Sequence, residues 1–195
     1  MGAMNFPVAS PEYAGLKSLK EDFGVVYGPV QSRRLGLSLG INILGTEKKI
    51  CSYDCVYCDL GPTEIRMNDL KKVAAFSPLS ALKAELAEAF KANAHHKIET
   101  ICISGNGEPT LHPEFEEIVI ELVALRNQFF PRVRLGVLTN GSGLESRKIQ
   151  RALALLDLRM IKFDAGSDSI LKKLNSPLVK ETLEGLIINI RKLKG

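Results

Sequence analysis

The chain has 195 residues, 45% of them hydrophobic, which suffices for one globular domain with its own core. A net charge of +4 is too small to mark a nucleic-acid stripe, and it gathers late: residues 1–70 carry 7 basic and 8 acidic side chains, the remainder 19 and 14. No apolar run approaches the ~18 residues of a membrane helix, and no basic region followed by an apolar core opens the chain, so the expectation is a soluble, cytoplasmic protein with no membrane partner.

Residues 1–27 read as an N-terminal extension, and Met1-Gly2-Ala3-Met4 resembles a tag remnant. Phe23 to Val30 offers an extra strand, and Gln31 to Gly36 a polar turn with Arg33 and Arg34. Those two arginines face an anionic substrate or simply solvent. From there, short apolar runs alternate with amphipathic stretches, the pattern of βα units on a parallel sheet. The first strand is Leu37 to Leu44, and it leads into a polar loop holding three cysteines. Ser77-Pro78 supplies an N-cap and a first-turn proline for a helix buried through Leu79, Leu82, Leu86 and Phe90. His95 and His96 close that helix, where they complement its dipole.

The second unit is a strand over Ile98 to Ser104 and a helix marked by Phe115, Ile118, Val119, Leu122 and Leu125. Cys102, between two isoleucines of that strand, reads as a small buried hydrophobe. Val133 to Thr139 breaks at Asn140-Gly141 and precedes a helix through Ile149, Ala152, Leu153 and Leu156. Leu158 to Asp164 is the fourth strand, followed by helical segments from Ser169 to Leu174 and from Leu178 to Leu193.

The loop Cys51-Ser-Tyr-Asp-Cys55-Val-Tyr-Cys58 has spacing C-x3-C-x2-C. Thiols this close suit a metal centre in a reducing compartment better than disulfides. Soft thiolates select zinc or iron-sulfur, and zinc would need a fourth Cys or His nearby. A cubane takes one cysteine per iron, so three ligands leave one iron open to a cofactor.

The triad, with Tyr57 before its last cysteine, resembles the hallmark of the radical S-adenosylmethionine (SAM) superfamily. Gly28-Pro-Val-Gln-Ser-Arg-Arg-Leu-Gly36, Ser38-Leu-Gly-Ile-Asn42 and Cys58-Asp-Leu-Gly61 resemble a subgroup of iron-sulfur oxidoreductases similar to the enzymes that form wyosine-type bases in tRNA. The resemblance covers residues 28–195. It implies a 4Fe-4S cluster on Cys51, Cys55 and Cys58, SAM at the open iron, and reductive cleavage of SAM to a 5′-deoxyadenosyl radical that abstracts hydrogen from a substrate, RNA among the candidates. A flavodoxin or ferredoxin would supply the electron.

Ser104-Gly105-Asn106-Gly107-Glu108-Pro109-Thr110 then resembles the Gly-Gly-Glu turn that binds the SAM ammonium, with Asn106-Gly107 in place of the paired glycines. Asn140 ends the third strand, where the family holds the SAM ribose and carboxylate and where plain turn chemistry needs the same residue. Asp164, in Lys162-Phe-Asp-Ala-Gly166, points into a barrel mouth or caps the next helix. Ser167 is a candidate ribose contact. The family core has six βα units and four are counted here, so the fold expected is a partial parallel βα barrel truncated before its last two units. A bare fourth strand invites self-association, which sedimentation of a clean monomer would refute.

Overall fold

A computed structural model describes residues 24–45, 48–66 and 76–193. Its main sheet has five strands in the order β1-β2-β5-β6-β7: β1 (Val26–Ser32), β2 (Gly36–Ile41), β5 (Thr100–Ile103), β6 (Arg134–Thr139) and β7 (Leu158–Ile161). β1 is antiparallel to β2, and the other four run parallel. A two-residue ladder, β3 (Ile50–Cys51) beside β4 (Ile65–Arg66), stands apart.

Helices α1 (Leu79–Asn93), α2 (Phe115–Phe129), α3 (Arg147–Ala154) and α4 (Asp168–Leu174) each follow a parallel strand, and α5 (Leu183–Lys192) ends the described chain. The four expected βα units are present, and the architecture is a mixed α/β fold consistent with a partial βα barrel. None of the described helices is long and apolar enough to cross a membrane.

The pleat sorts the side chains. Leu39, Ile41, Ile101, Ile103, Leu135 and Val137 point to one face and bury against Leu82, Leu86 and Phe90 of α1 and Phe115, Ile118 and Leu122 of α2. The alternate positions are small where they pair: Ser38 opposes Thr100, and Cys102 lies between Gly40 and Gly136. On this other face Tyr27 of β1 folds over Gly40, where a Cβ would meet its ring at 2.0 Å. The Tyr27 hydroxyl reaches Ser104 Oγ at 2.7 Å. Cys102 is buried as expected, and burial pushes its thiol up to about 11.

Four boundaries differ from the sequence reading. β1 runs on through Ser32, which shortens the polar turn to residues 33–35, while Phe23 lies outside the described residues with most of the N-terminal extension. β2 stops at Ile41, because Asn42 turns the chain toward the cysteines. Ser77 does not cap α1: the cap position is Pro78, and the Leu79 N–H is met at 3.0 Å by Glu114 Oε2 from the start of α2. α5 begins at Leu183, capped by Thr182 Oγ1, and not at Leu178, because the chain bends at 178–179 where the Leu178 N–H donates to the Ser52 carbonyl of the cysteine loop.

At the far edge, β7 has a hydrogen-bonded neighbour only on its β6 side among the described residues. Its four side chains are half-buried.

Candidate cluster and cofactor site

The cysteine loop departs from β3 and returns at β4, and polar side chains hold its shape. Thr63 Oγ1 donates to the Tyr53 carbonyl and Thr63 N–H to Asp54 Oδ1, both at 2.7 Å. The Lys49 ammonium, almost fully buried, donates to the Gly61 carbonyl at 2.7 Å with Asp54 Oδ1 at 3.9 Å. Cys58 N–H reaches the Cys55 carbonyl and Gly61 N–H the Cys58 carbonyl, so the last cysteines sit on consecutive tight turns.

A second strap comes from the segment after α4. Val56 N–H donates to the Leu174 carbonyl, Asp54 N–H to the Asn175 carbonyl and Leu178 N–H to the Ser52 carbonyl, at 3.0, 3.1 and 2.8 Å. Tyr53 pairs with Pro177 in an antiparallel bridge and buries its ring, donating its hydroxyl to Glu181. Burial, and next that carboxylate, hold the Tyr53 phenol well above its usual range.

Cys51, Cys55 and Cys58 all line one cavity of about 820 Å³ beside the carboxyl ends of β6 and β7. Cys51 is buried, which pushes its thiol up to about 11, while Tyr53 N–H at 3.4 Å and Asn140 Nδ2 at 3.7 Å face its sulfur. Cys55 Sγ receives Asn175 Nδ2 at 3.5 Å and has Lys162 Nζ at 3.9 Å. Among the described residues, no three Cys, His, Asp or Glu side chains converge tightly enough to share a single ion. A cubane asks for one thiolate per iron around a common space, and donors on the sulfurs suit thiolates. The donor set fits that group. Cys102 does not line the cavity, and His95 and His96 stack on each other at 4.0 Å after α1.

The turn after β5 docks directly on β3. Ile50 N–H donates to the Asn106 carbonyl and Glu108 N–H to the Ile50 carbonyl, at 2.8 and 2.9 Å. Gly107 makes this approach at φ +139°, and a Cβ there would lie 1.7 Å from the Ile50 oxygen. Gly105 makes room for Asn42 in the same way, the Cβ falling 2.4 Å from its Oδ1, and it does not line the cavity. Pro109 is the buried first residue of a short 3-10 turn.

Glu108 lines the cavity yet is nearly inaccessible to water. Its Oε1 accepts from Thr110 N–H at 3.1 Å and from the Thr110 and Thr139 hydroxyls at 2.6 Å each, and its Oε2 accepts Asn140 N–H at 2.7 Å. Burial raises its pKa and those bonds oppose the rise. Four donors converge on the two carboxyl oxygens.

Asn140 has the turn role the sequence allowed and also faces the cavity. It lines the cavity, and it shapes its own turn by accepting Ser142 N–H at 3.0 Å while donating to Ser52 Oγ at 2.9 Å. Asp164 also faces the cavity; the helix cap is Ser167, whose Oγ accepts Ile170 N–H at 3.4 Å away from the lining. Tyr57 donates its hydroxyl to Asp164 and lies beneath Lys162 Nζ, 4.3 Å from its ring centre. Burial, then the bond to Asp164, push the Tyr57 phenol up. Arg34 lines the cavity, and Arg33 does not.

Among the residues that escaped the sequence reading are the polar groups Lys49 and Lys162, which line the cavity, and Asn175, which contacts Cys55. Lys162 was findable, since it shares strand parity with Asp164. Lys49 and Asn175 carried no local signal.

Residues 49–194 match the family model described as the radical SAM superfamily. A UPF0026 protein of Helicobacter pylori strain J99 is 35% identical over 174 residues, covering 86% of this chain and 52% of the relative. A UPF0026 protein of Synechocystis is 34% identical over 169 residues, covering 87% and 59%. A solved structure of BtrN in an open conformation aligns with a TM-score of 0.41 at 20% identity, over 68% of this chain and 51% of that one. The chain thus spans about half the length of these curated relatives. With three quarters of its residues inside the family match, the chain belongs to the radical SAM superfamily.

Proposed function

We propose that this chain is the cofactor-binding core of a radical SAM enzyme, an oxidoreductase of the cytoplasm. Cys51, Cys55 and Cys58 are the ligands of a 4Fe-4S cluster, and Glu108 receives the ammonium of SAM bound at the remaining iron. The reading rests on one observation: three cysteines from an eight-residue loop, and a buried carboxylate from the turn that docks on the same strand, line a single cavity.

When bound, the reduced cluster supplies the electron that cleaves SAM into methionine and a 5′-deoxyadenosyl radical. The chain's own residues bind and exclude. Glu108 offers a negative charge in a dry wall, where an ammonium is held more tightly than in water. Gly105, Gly107 and Pro109 shape that turn, and Asn140 and Asp164 present polar groups at the next two strand ends. Tyr57, Leu138, Met160 and Phe163 give the cavity apolar walls that keep water from a reactive species. Ser167 acts as a helix cap in this reading. Hydrogen abstraction is the reaction class. An RNA substrate and a flavodoxin or ferredoxin donor follow from the motif resemblance, with Arg34 and Lys162 as cations for an anionic substrate. Among the described residues the outer edge of β7 has no strand partner, and a second copy would pair there.

Anaerobic reconstitution with iron and sulfide, followed by dithionite and SAM, tests the assignment. The expected result is a brown protein whose EPR signal changes on adding SAM and which forms 5′-deoxyadenosine. Cys55→Ala abolishes all three. A colourless protein with stoichiometric zinc would sink the cluster assignment, and a cluster whose spectrum ignores SAM would leave an electron-transfer module.

A further inference from the structure

Asn175 lies 120 residues from Cys55 and outside every recognised motif, yet its side chain is directed at the cysteine loop. Its backbone is tied there first, the carbonyl accepting Asp54 N–H and its own N–H reaching the Leu171 carbonyl at the end of α4. The residue is 2% exposed, so its carboxamide is held in a dry place by main-chain bonds that do not depend on its identity.

Nδ2 faces three acceptors: Cys55 Sγ at 3.5 Å, the Tyr57 hydroxyl oxygen at 2.8 Å and Asp164 Oδ2 at 3.5 Å. Two of these are anions once Cys55 is a ligand. The opposite amide orientation would turn a carbonyl oxygen toward a thiolate and a carboxylate, so the chemistry itself selects the donor orientation. Among the described residues Oδ1 is buried with no hydrogen-bond partner. A structural asparagine would satisfy both ends; this one is satisfied only on the side of the cysteine.

Lys162 Nζ also stands near Cys55, but its side chain is a third exposed and it answers Asp164 at 4.0 Å. Its charge is screened by water and offset by a neighbouring anion. Asn140 reaches Cys51 Sγ only at 3.7 Å, with its better bond going to Ser52. Asn175 is a buried donor to a ligand sulfur, as the Tyr53 N–H is to Cys51 Sγ at 3.4 Å, and of the two it is the one a side-chain substitution removes.

We infer that Asn175 is a positioning residue that sets the reduction potential of the cluster by donating an N–H to Cys55 Sγ. This rests on the cluster reading above. A donor on a ligand sulfur draws electron density from the cluster and favours the reduced, more negative state, so it raises the potential. Through the same amide, the Tyr57 and Asp164 pair is joined to that sulfur.

The test is an EPR-monitored redox titration of reconstituted protein, wild type against Asn175→Leu and Asn175→Asp, both close to isosteric. Asn175→Leu also removes an unpaired buried oxygen, which favours folding. The expected result is a cluster in all three proteins. At a fixed potential the reduced-to-oxidised ratio falls about tenfold in Asn175→Leu, a drop of about 59 mV for a one-electron couple, and falls further in Asn175→Asp, where an anion replaces the donor. Clusters with equal potentials overturn the inference alone. Variants that fail to fold or to load while wild type loads assign Asn175 a structural role, and also overturn it. Wild-type protein that takes up no cluster removes the underlying reading and the inference together.

Discussion

Gly107→Ala is expected to destabilise the protein by about 3–5 kcal/mol and to abolish iron uptake, the sum of a backbone conformation nearly closed to other residues and an overpacked contact. The new Cβ would stand 1.7 Å from the Ile50 oxygen, and that atom is main chain, with no rotamer to retreat into. Either the turn moves or β3 does. If β3 moves, Cys51 moves with it, because Ile50 and Cys51 are the whole strand. Two glycines calibrate the result. Gly61→Ala shares a positive φ, +75°, but meets nothing within 4 Å, and should cost only about 1–2 kcal/mol. Gly166→Ala has open space and no such φ, and should be near neutral. Urea unfolding of the three variants checks the order; a Gly107→Ala protein as stable as Gly61→Ala would show that the docking of this turn on β3 is dispensable.

Glu108→Gln carries the second large effect. Every atom around the carboxylate is a donor: Thr110 N–H, two threonine hydroxyls and Asn140 N–H. A glutamine amide must turn its NH2 toward one of these sets, so the substitution should cost about 1–3 kcal/mol despite its similar shape. It also removes the charge proposed to meet the SAM ammonium, which should weaken SAM binding roughly 10- to 100-fold by calorimetry on reconstituted protein. The pH dependence has a definite sign. Burial raises the folded pKa of Glu108 above the ordinary 4.5. Its contribution to stability is therefore fully present below the unfolded value and is lost as pH rises through the folded one, where the native state must ionise a dry carboxyl. Urea midpoints measured upward from pH 4 should fall for wild type relative to Glu108→Gln. A difference that grows in the opposite direction would mean that the four hydrogen bonds outweigh the burial.

Much of the barrel was legible because buried parallel strands leave a plain mark. Runs such as Ile101-Cys102-Ile103 between turn residues admit few other readings, and the four βα units followed from them. The cysteine spacing was legible for a different reason, since three thiols within eight residues have few structural uses. What stayed hidden depends on partners distant in sequence. Glu114 serves the first turn of α1 across 35 residues, so Ser77 looked like the cap. Residues 178–182 continue an apolar pattern but are not helical, and the Leu178 N–H donates instead to the Ser52 carbonyl of the cysteine loop. Ser167 drew a cofactor role from its place after Asp164, while its local geometry is that of an N-cap, a role any serine before Asp168-Ser169-Ile170 is suited to fill. Lys49 became buried only through the carbonyl of Gly61, which no spacing rule connects to it.

The strap from Leu174 to Leu178 also sets an order of events during synthesis. The cysteines leave the ribosome about 120 residues before the segment that braces them, a lag of roughly 6–24 s at ordinary elongation rates of about 5–20 residues per second. Throughout that interval the loop has its own turns but neither the Leu174 and Asn175 carbonyls nor the Tyr53 bridge to Pro177. The fourth βα unit thus braces a loop made long before it, and until that unit has emerged the three thiols lack the long-range bonds that hold their loop in place.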